Sequence, residues 1–205
     1  MSESWLLKVE TLACERDDRL LFRDLGFRAA GGELWQVAGP NGAGKSTLLR
    51  ILAGLFGFYS GRVCWSMAGV PTQQILFLGH RSGLREELTA RENLAWYCAL
   101  HQQPVSAIDA ALTSVGMAGY EDVPVAQMSA GQQRRVALAR LWLPGKQVWI
   151  LDEPFTAVDA AGVDMLEQRL RQQVADGGLV IYSSHHRLAE DSRQVLLGQG
   201  PGAVL

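Results

Sequence analysis

The segment GPNGAGKST, Gly39 to Thr47, sets three glycines among small and polar residues and ends on a lysine, a serine and a threonine. That order suits one chemistry, the holding of a polyphosphate. Gly39, Gly42 and Gly44, with Pro40, Asn41 and Ala43 between them, let the main chain pass close to an anion so that amides donate to it. Lys45 can reach the β- and γ-phosphates, Ser46 can set its hydroxyl on Mg²⁺, and Thr47 leads into the next element. The apolar run Leu34 to Ala38 precedes the loop and the helix-compatible segment Thr47 to Ala53 follows it. Strand, loop and helix are therefore expected, the helix N-terminus adding positive potential at the phosphates. A chance glycine-rich turn before a helix satisfies looser patterns than this one.

A second acidic element must complete such a metal site, and VWILDEP offers one at the end of an apolar run. Asp152 is the candidate magnesium ligand, directly or through water. Glu153 is the candidate general base that orients and activates the attacking water. Taken by itself, VWILDEP reads equally well as an acidic turn stopped by Pro154. The phosphate loop decides between the two.

These residues need elements to hold them. Glu33 to Ala38, Ile75 to Gly79, Gln147 to Leu151 and Leu179 to Ser183 are compact apolar segments, the signature of strands buried on both faces of a parallel sheet. Trp5 to Leu12 and Leu20 to Arg28 flank the polar stretch Glu15 to Arg19 and predict an antiparallel hairpin. From about Glu86 to Leu143 the chain reads mainly as helix, its first helix opened by Thr89 and Glu92 at capping-box spacing ahead of Leu94, Ala95 and Cys98. Pro104 and Pro124 separate further helices. The expectation is a single domain over 1–205, with a core of 1–80 and 145–205 and an inserted helical lobe of about 81–144.

Composition bounds the partners. Nineteen basic residues against 21 acidic ones give a net charge of -2, no electrostatic footprint for nucleic acid. The longest apolar stretch, Ala53 to Tyr59, is far short of the ~20 residues a bilayer span requires. MSESWLLKVE lacks the pattern of a signal peptide, and Cys14, Cys64 and Cys98 are scattered. A reduced, cytoplasmic protein is expected.

The run MSAGQQRRVALARL, Met128 to Leu141, narrows the phosphate-loop classes. Ser129 is a good N-cap, and Gly131 leaves the start of the following helix open to an anion. An ordinary capped helix with Val136, Ala139 and Leu143 facing a core accounts for it as well, and both readings can hold. With the phosphate loop before it and VWILDEP after it, the chain resembles the ABC ATPases. Met128, Ser129, Ala130, Gly131 and Gln132 stand where that family's signature is usually LSGGQ. The resemblance implies a P-loop, RecA-like α/β core with an N-terminal antiparallel β subdomain and an inserted α-helical lobe.

It also implies further roles. FTAVD sets Asp159 at the position of an aspartate that crosses the family's dimer, and IYSSHH sets His185, with His186 as its neighbour, at the position of a histidine that contacts the γ-phosphate. Two positions depart from the common pattern. His80 in ILFLGH stands where most members carry a metal-sensing glutamine, Gln73 and Gln74 lying ahead of that strand, and Arg16 stands where many stack an aromatic residue on adenine. A guanidinium can also lie over a π face. LGH, the alanine-containing signature with QQRR, and FTAVD together resemble the ATP-binding subunits of the haem exporters of cytochrome c biogenesis.

From the family follow the expected partners. Two copies would meet head to tail, with ATP between Lys45 of one and Ser129 of the other, and an ATPase lacking a span would work on integral membrane subunits from the cytoplasmic face of the inner membrane. The docking surface is expected near His80 to Leu88. Alternatives are the ATPase of another ABC transporter, such as an importer or lipoprotein-release system, a soluble ABC-type nucleotide switch, and a subunit that binds nucleotide with little turnover. A GTPase is disfavoured, since no guanine-reading NKxD-type sequence occurs. His101 is expected on the surface of the lobe.

Overall fold

Strands β1 (Leu7–Arg16) and β2 (Arg19–Ala29) form the expected hairpin, but both run further into the polar stretch than their apolar residues suggest. The reversal needs only Asp17 and Asp18, at φ of 51° and 57°. Asp tolerates the left-handed region, and two such residues match the twist of the flanking strands. Arg16 consequently pairs with Arg19. A third strand absent from the expectation, β4 (Ser60–Trp65), completes an antiparallel sheet in the order β2-β1-β4 once β3 (Leu34–Ala38) and helix α1 (Lys45–Leu52) have been formed. The computed structural model describes residues 5–67, 71–184, 188, 192–198 and 203–204.

Beyond a short helix α2 (Pro71–Gln74) come β5 (Ile75–Leu78), β6 (Val148–Asp152), β7 (Leu179–Ser183), β8 (Arg193–Leu196) and β9 (Ala203–Val204). They join β3 in one sheet of order β5-β6-β7-β3-β8-β9. β3 runs parallel to β7 and β8, and β6 parallel to β7, while β9 pairs antiparallel at the edge. Every residue of β6 and β7 is buried, which explains their continuous apolar sequences. Register matters most for function. Val37 stands opposite Ser183, and Ser183 opposite Asp152, so β3, β7 and β6 end abreast. Whatever follows each of them emerges at the carboxyl edge, where open α/β sheets bind ligands.

Helix α1 buries Leu48, Leu49, Ile51 and Leu52 in a core that also takes Leu7, Leu12, Leu25, Trp35, Val37, Ile150 and Ile181. Trp35 is 1% exposed, with its ring centroid 5.1 Å from that of Phe27. Its indole nitrogen donates to Glu33 Oε2 at 2.8 Å.

Residues 78–146 and 155–169 make up a second compact unit. It contains α3 (Ala90–His101), α4 (Ile108–Ser114), α5 (Ala130–Leu138) and the start of α6 (Ala160–Ala175), a helix outside the sequence expectations. The predicted capping box is present at α3: Thr89 Oγ1 accepts from the Glu92 amide at 3.1 Å and Glu92 Oε2 from the Thr89 amide at 2.8 Å. Pro104 and Pro124 each precede a short 3₁₀ turn, as their backbone restrictions favour. The buried face of α3 carries Asn93 and Tyr97 beside the expected Leu94 and Cys98, while Ala95 is only half-buried.

His101 departs from its expected surface place. It is half-buried, its ring centroid 4.3 Å from that of Tyr97 and its Nδ1 3.1 Å from Lys146 Nζ. Burial, then the charges of Lys146 and Arg140, hold its pKa below the ordinary imidazole value. The unfolded chain, with an imidazole near ~6.5, therefore takes up a proton on acidification before the folded one does. His101's contribution is full above that value and is lost as pH falls through the lower folded value. Urea unfolding between about pH 5.5 and 7 should show stability declining toward the acid end, and His101→Gln should flatten that slope. An unchanged slope in the variant would exclude His101 as its source.

Candidate functional site

The phosphate loop leaves the centre of the parallel sheet. Gly44 caps α1 at φ 96°, and a Cβ there would stand 3.0 Å from Leu21 Cβ, so only glycine lets β2 lie this close to the loop. Lys45 is 9% exposed, and its ammonium donates to the carbonyls of Gly39 at 2.8 Å and Pro40 at 3.2 Å. These bonds draw the side chain back across the loop. Ser46 is exposed on the first turn of α1. Asn41, Gly42, Gly44, Lys45, Ser46 and Thr47 line a pocket of about 570 Å³ shared with Glu153 and with the hairpin residues Arg16, Asp17, Arg19 and Leu21. Its volume falls within the range of small-ligand sites.

Asp152 and Glu153 are neighbours in sequence and differ in setting. Asp152, 4% exposed, ends β6 and accepts through Oδ1 from Ser183 Oγ at 2.7 Å. Ser183 Oγ in turn accepts from the Glu153 amide at 2.9 Å. The hydroxyl of β7 thus fixes the carboxylate of one residue and the backbone of the next. Glu153 takes the left-handed φ of 48°, uncommon for glutamate, which turns the chain sharply as it leaves the strand. Glu153 lines the pocket, whereas Asp152 is buried and outside its lining. The sequence reading missed Ser183 as a site residue. Its position at the end of a strand parallel to that of Asp152 was the available signal.

The signature segment has the predicted start. Ser129 Oγ accepts from the Gln132 amide at 3.3 Å and Gln132 Oε1 from the Ser129 amide at 2.9 Å, a complete capping box at the head of α5. Ser129 and Ala130 are exposed, with Gly131 and Gln132 half-buried beside them. Val136, Ala139 and Leu143 are buried, as expected, although α5 ends at Leu138 and tightens into a 3₁₀ turn over Ala139–Trp142. Asp159 is exposed and accepts from Arg135 Nη2 at 2.6 Å, while Arg135 Nη1 donates to the Val115 carbonyl at 3.0 Å. Arg135 therefore ties the segment of Asp159 to the signature helix.

His80 is exposed just beyond β5. The segment it opens is held from inside the lobe by three buried polar side chains that the sequence reading did not single out. Arg134 Nη1 donates to the Gly79 carbonyl at 3.3 Å, and Arg140 to those of Ser82 at 3.1 Å and Gly83 at 3.2 Å. Asn93 Nδ2 reaches the carbonyls of Arg85, Leu88 and Thr89 at 3.0, 3.2 and 2.9 Å, and Asn93 Oδ1 accepts from the Arg85 amide at 2.8 Å. Arg140 also lies over the Tyr97 ring, its Cζ 5.3 Å from the centroid, and burial holds its pKa below the usual guanidinium range. Their signal was polarity on helix faces that otherwise read as core. His185 and His186 lie outside the described residues.

The residues at the loop suit a nucleoside triphosphate with magnesium. Gly42 and Gly44 keep side chains out of the cradle, and a serine hydroxyl and a carboxylate are the hard oxygen donors that Mg²⁺ takes together with substrate phosphates. Among the described residues no three His, Cys, Asp or Glu side chains gather into a metal cage.

The family model described as ABC transporter matches residues 22–156. A protein of Alcanivorax borkumensis named Cytochrome c biogenesis ATP-binding export protein CcmA is 54% identical over 198 residues, covering 97% of this chain and 90% of its own. One of the same name from Vibrio cholerae is 50% identical over 204 residues, covering 94% and 99%. Among solved structures, an ATP binding subunit of an ABC transporter matches with a TM-score of 0.85 at 24% identity, covering 98% of this chain and 90% of that one. The ATP-binding cassette MJ0796, solved as a dimer in a post-hydrolysis state bound to ADP and Pi, matches at 0.83 and 22%, covering 97% and 98%. These two share the fold.

The Ser183 relay makes a measurable claim. Ser183→Ala should strip the Asp152 carboxylate and the Glu153 amide of their shared partner, lowering stability by about 1–3 kcal/mol in urea unfolding. A midpoint matching the unaltered chain would mean that the bridge holds neither residue.

Proposed function

The chain belongs to the ABC transporter family, among the cytochrome c biogenesis ATP-binding export proteins, and from that membership we propose that it powers a membrane step of c-type cytochrome maturation by hydrolysing ATP. That step is haem export or the release of a haem-loaded chaperone. The observation carrying the reading is that the phosphate loop and Glu153 line one pocket while Ser183 bonds the carboxylate of the preceding residue, Asp152.

The proposed cycle follows from the residues. Main-chain amides of the loop and the Lys45 ammonium take up the charge of the β- and γ-phosphates. Ser46 and Asp152 hold the magnesium ion, which offsets phosphate charge when bound. Glu153 accepts the proton of the attacking water, so that ATP and water yield ADP and phosphate. His185 is the candidate second contact to the γ-phosphate. A second copy, head to tail, supplies Ser129 and Asp159. Ser129 Oγ accepts from the Gln132 amide within its own capping box, which leaves its hydroxyl hydrogen for an oxygen of the opposing γ-phosphate.

Among the described residues no helix is long and apolar enough to cross a membrane, and membership of the ABC transporter family supports integral membrane subunits as partners. We propose that they dock on the segment from His80 to Leu88, with the subunit held at the cytoplasmic face of the inner membrane. Arg81 and Arg85 are exposed there, Arg85 lying over the half-exposed Trp96 ring with Cζ 4.8 Å from its centroid.

Three variants separate these roles. Glu153→Gln should slow ATP turnover by ~10²- to 10⁴-fold while ATP binding persists, the scale of lost general base help, and wild-type turnover would remove Glu153 from that role. Lys45→Ala should weaken nucleotide affinity in a binding titration, and an unaltered affinity would contradict the phosphate-loop assignment. Charge reversal at both Arg81 and Arg85 should abolish co-purification with the membrane subunits; intact co-purification would count against docking there.

A further inference from the structure

The tip of the β1–β2 hairpin places two arginines directly opposite one another, Arg16 and Arg19. Like charges facing across an antiparallel pair are unfavourable by themselves, and a bound anion between or beside them reverses the sign. Arg16 has a local partner, with Nε 3.4 Å from Asp17 Oδ2. Arg19 has no hydrogen-bond or ion-pair partner among the described residues.

Arg19 is directed at the phosphate loop. A Cβ built on Gly42 would stand 3.5 Å from Arg19 Nη1 and 3.9 Å from Nη2, so the guanidinium rests against the loop backbone. Two residues on, Leu21 and Phe22 contact the Cβ position of Gly44 at 3.0 and 3.3 Å, which fixes the course of β2 along the loop and with it the height of Arg19 above Gly42. Arg16, Arg19 and Lys45 line the same pocket.

We propose that Arg19 is a second phosphate-contacting cation of the nucleotide site, closing over the phosphate chain from the hairpin side as Lys45 does from the loop side. The inference rests on the phosphate-loop reading and extends it. A guanidinium fork can meet two phosphate oxygens at once. With Arg16 in place of an aromatic residue and Arg19 on the phosphates, affinity here depends on the phosphate chain and only weakly on the base.

The test measures ATP, ADP and GTP affinity for the full chain and its Arg19→Ala, Arg19→Lys and Lys45→Ala variants, with circular dichroism to verify folding. Arg19→Ala should weaken ATP and ADP by ~10-fold, the lower end for a charged hydrogen bond because the site is exposed. Arg19→Lys should recover part of the loss, and the ATP-to-GTP ratio should stay constant throughout. If Arg19→Ala leaves affinity intact while Lys45→Ala loses it, Arg19 is a surface charge and the nucleotide site stands without it. A collapse of the ATP-to-GTP ratio in Arg19→Ala would make Arg19 a reader of the base and overturn the proposal. Unchanged affinity in both alanine variants would place nucleotide binding outside this pocket and overturn the phosphate-loop reading with the proposal.

Discussion

An anion can be held by main-chain amides only where the backbone is stripped of side chains and its donors are not already spent on a helix. The chain meets that constraint between β3 and α1, and the rest of the structure follows from it. β3 lies inside the parallel sheet, so the loop leaves the core at its centre, with β6 and β7 ending abreast of it. Gly44 starts α1 in a conformation and at a distance from Leu21 that a larger residue would not tolerate. The hairpin can then lie along the loop and bring cations to its mouth.

On the acid side, one hydroxyl separates two carboxylates into two settings. Ser183 bonds the buried Asp152 side chain and the Glu153 amide, and Glu153 lines the pocket. Adjacent carboxylates in unlike environments can take unlike roles, one holding a cation and one moving a proton. Within the lobe the same economy is seen with cations. Arg134 and Arg140, from the signature helix and the turn that continues it, bond the carbonyls of residues 79, 82 and 83, and Asn93 bonds those of residues 85, 88 and 89. The helix that Ser129 caps and the segment from His80 to Leu88 are thus parts of one hydrogen-bonded unit.

What could be read from the sequence was local. The glycine-rich loop, the Thr89 capping box, the Ser129 N-cap and the buried strands are written in short runs whose period or spacing suffices, and Leu179 to Ser183 was bounded correctly because a strand covered on both faces shows no polar break. The hairpin was shortened because its polar tip resembled a loop, when two aspartates at positive φ complete the turn. The exposed strand β4 and the long helix α6 escaped because neither presents an uninterrupted apolar run. Ser183, Arg135, Arg140 and Arg19 were harder to read for another reason, the signals at Ser183 and Arg140 marking a position without naming its partner. Each lies against a segment distant in the chain, and nothing in its own neighbourhood of sequence announces that segment.

The central claim is that the phosphate loop is half of a site that a second copy completes. Sedimentation of the Glu153→Gln chain with and without ATP and magnesium tests it most directly, since impaired hydrolysis should let the closed state accumulate. The account predicts a monomer without nucleotide and a dimer with ATP, reverting to monomer when Ser129 is also replaced by a bulky residue. A chain that binds ATP and remains monomeric at every concentration would contradict it.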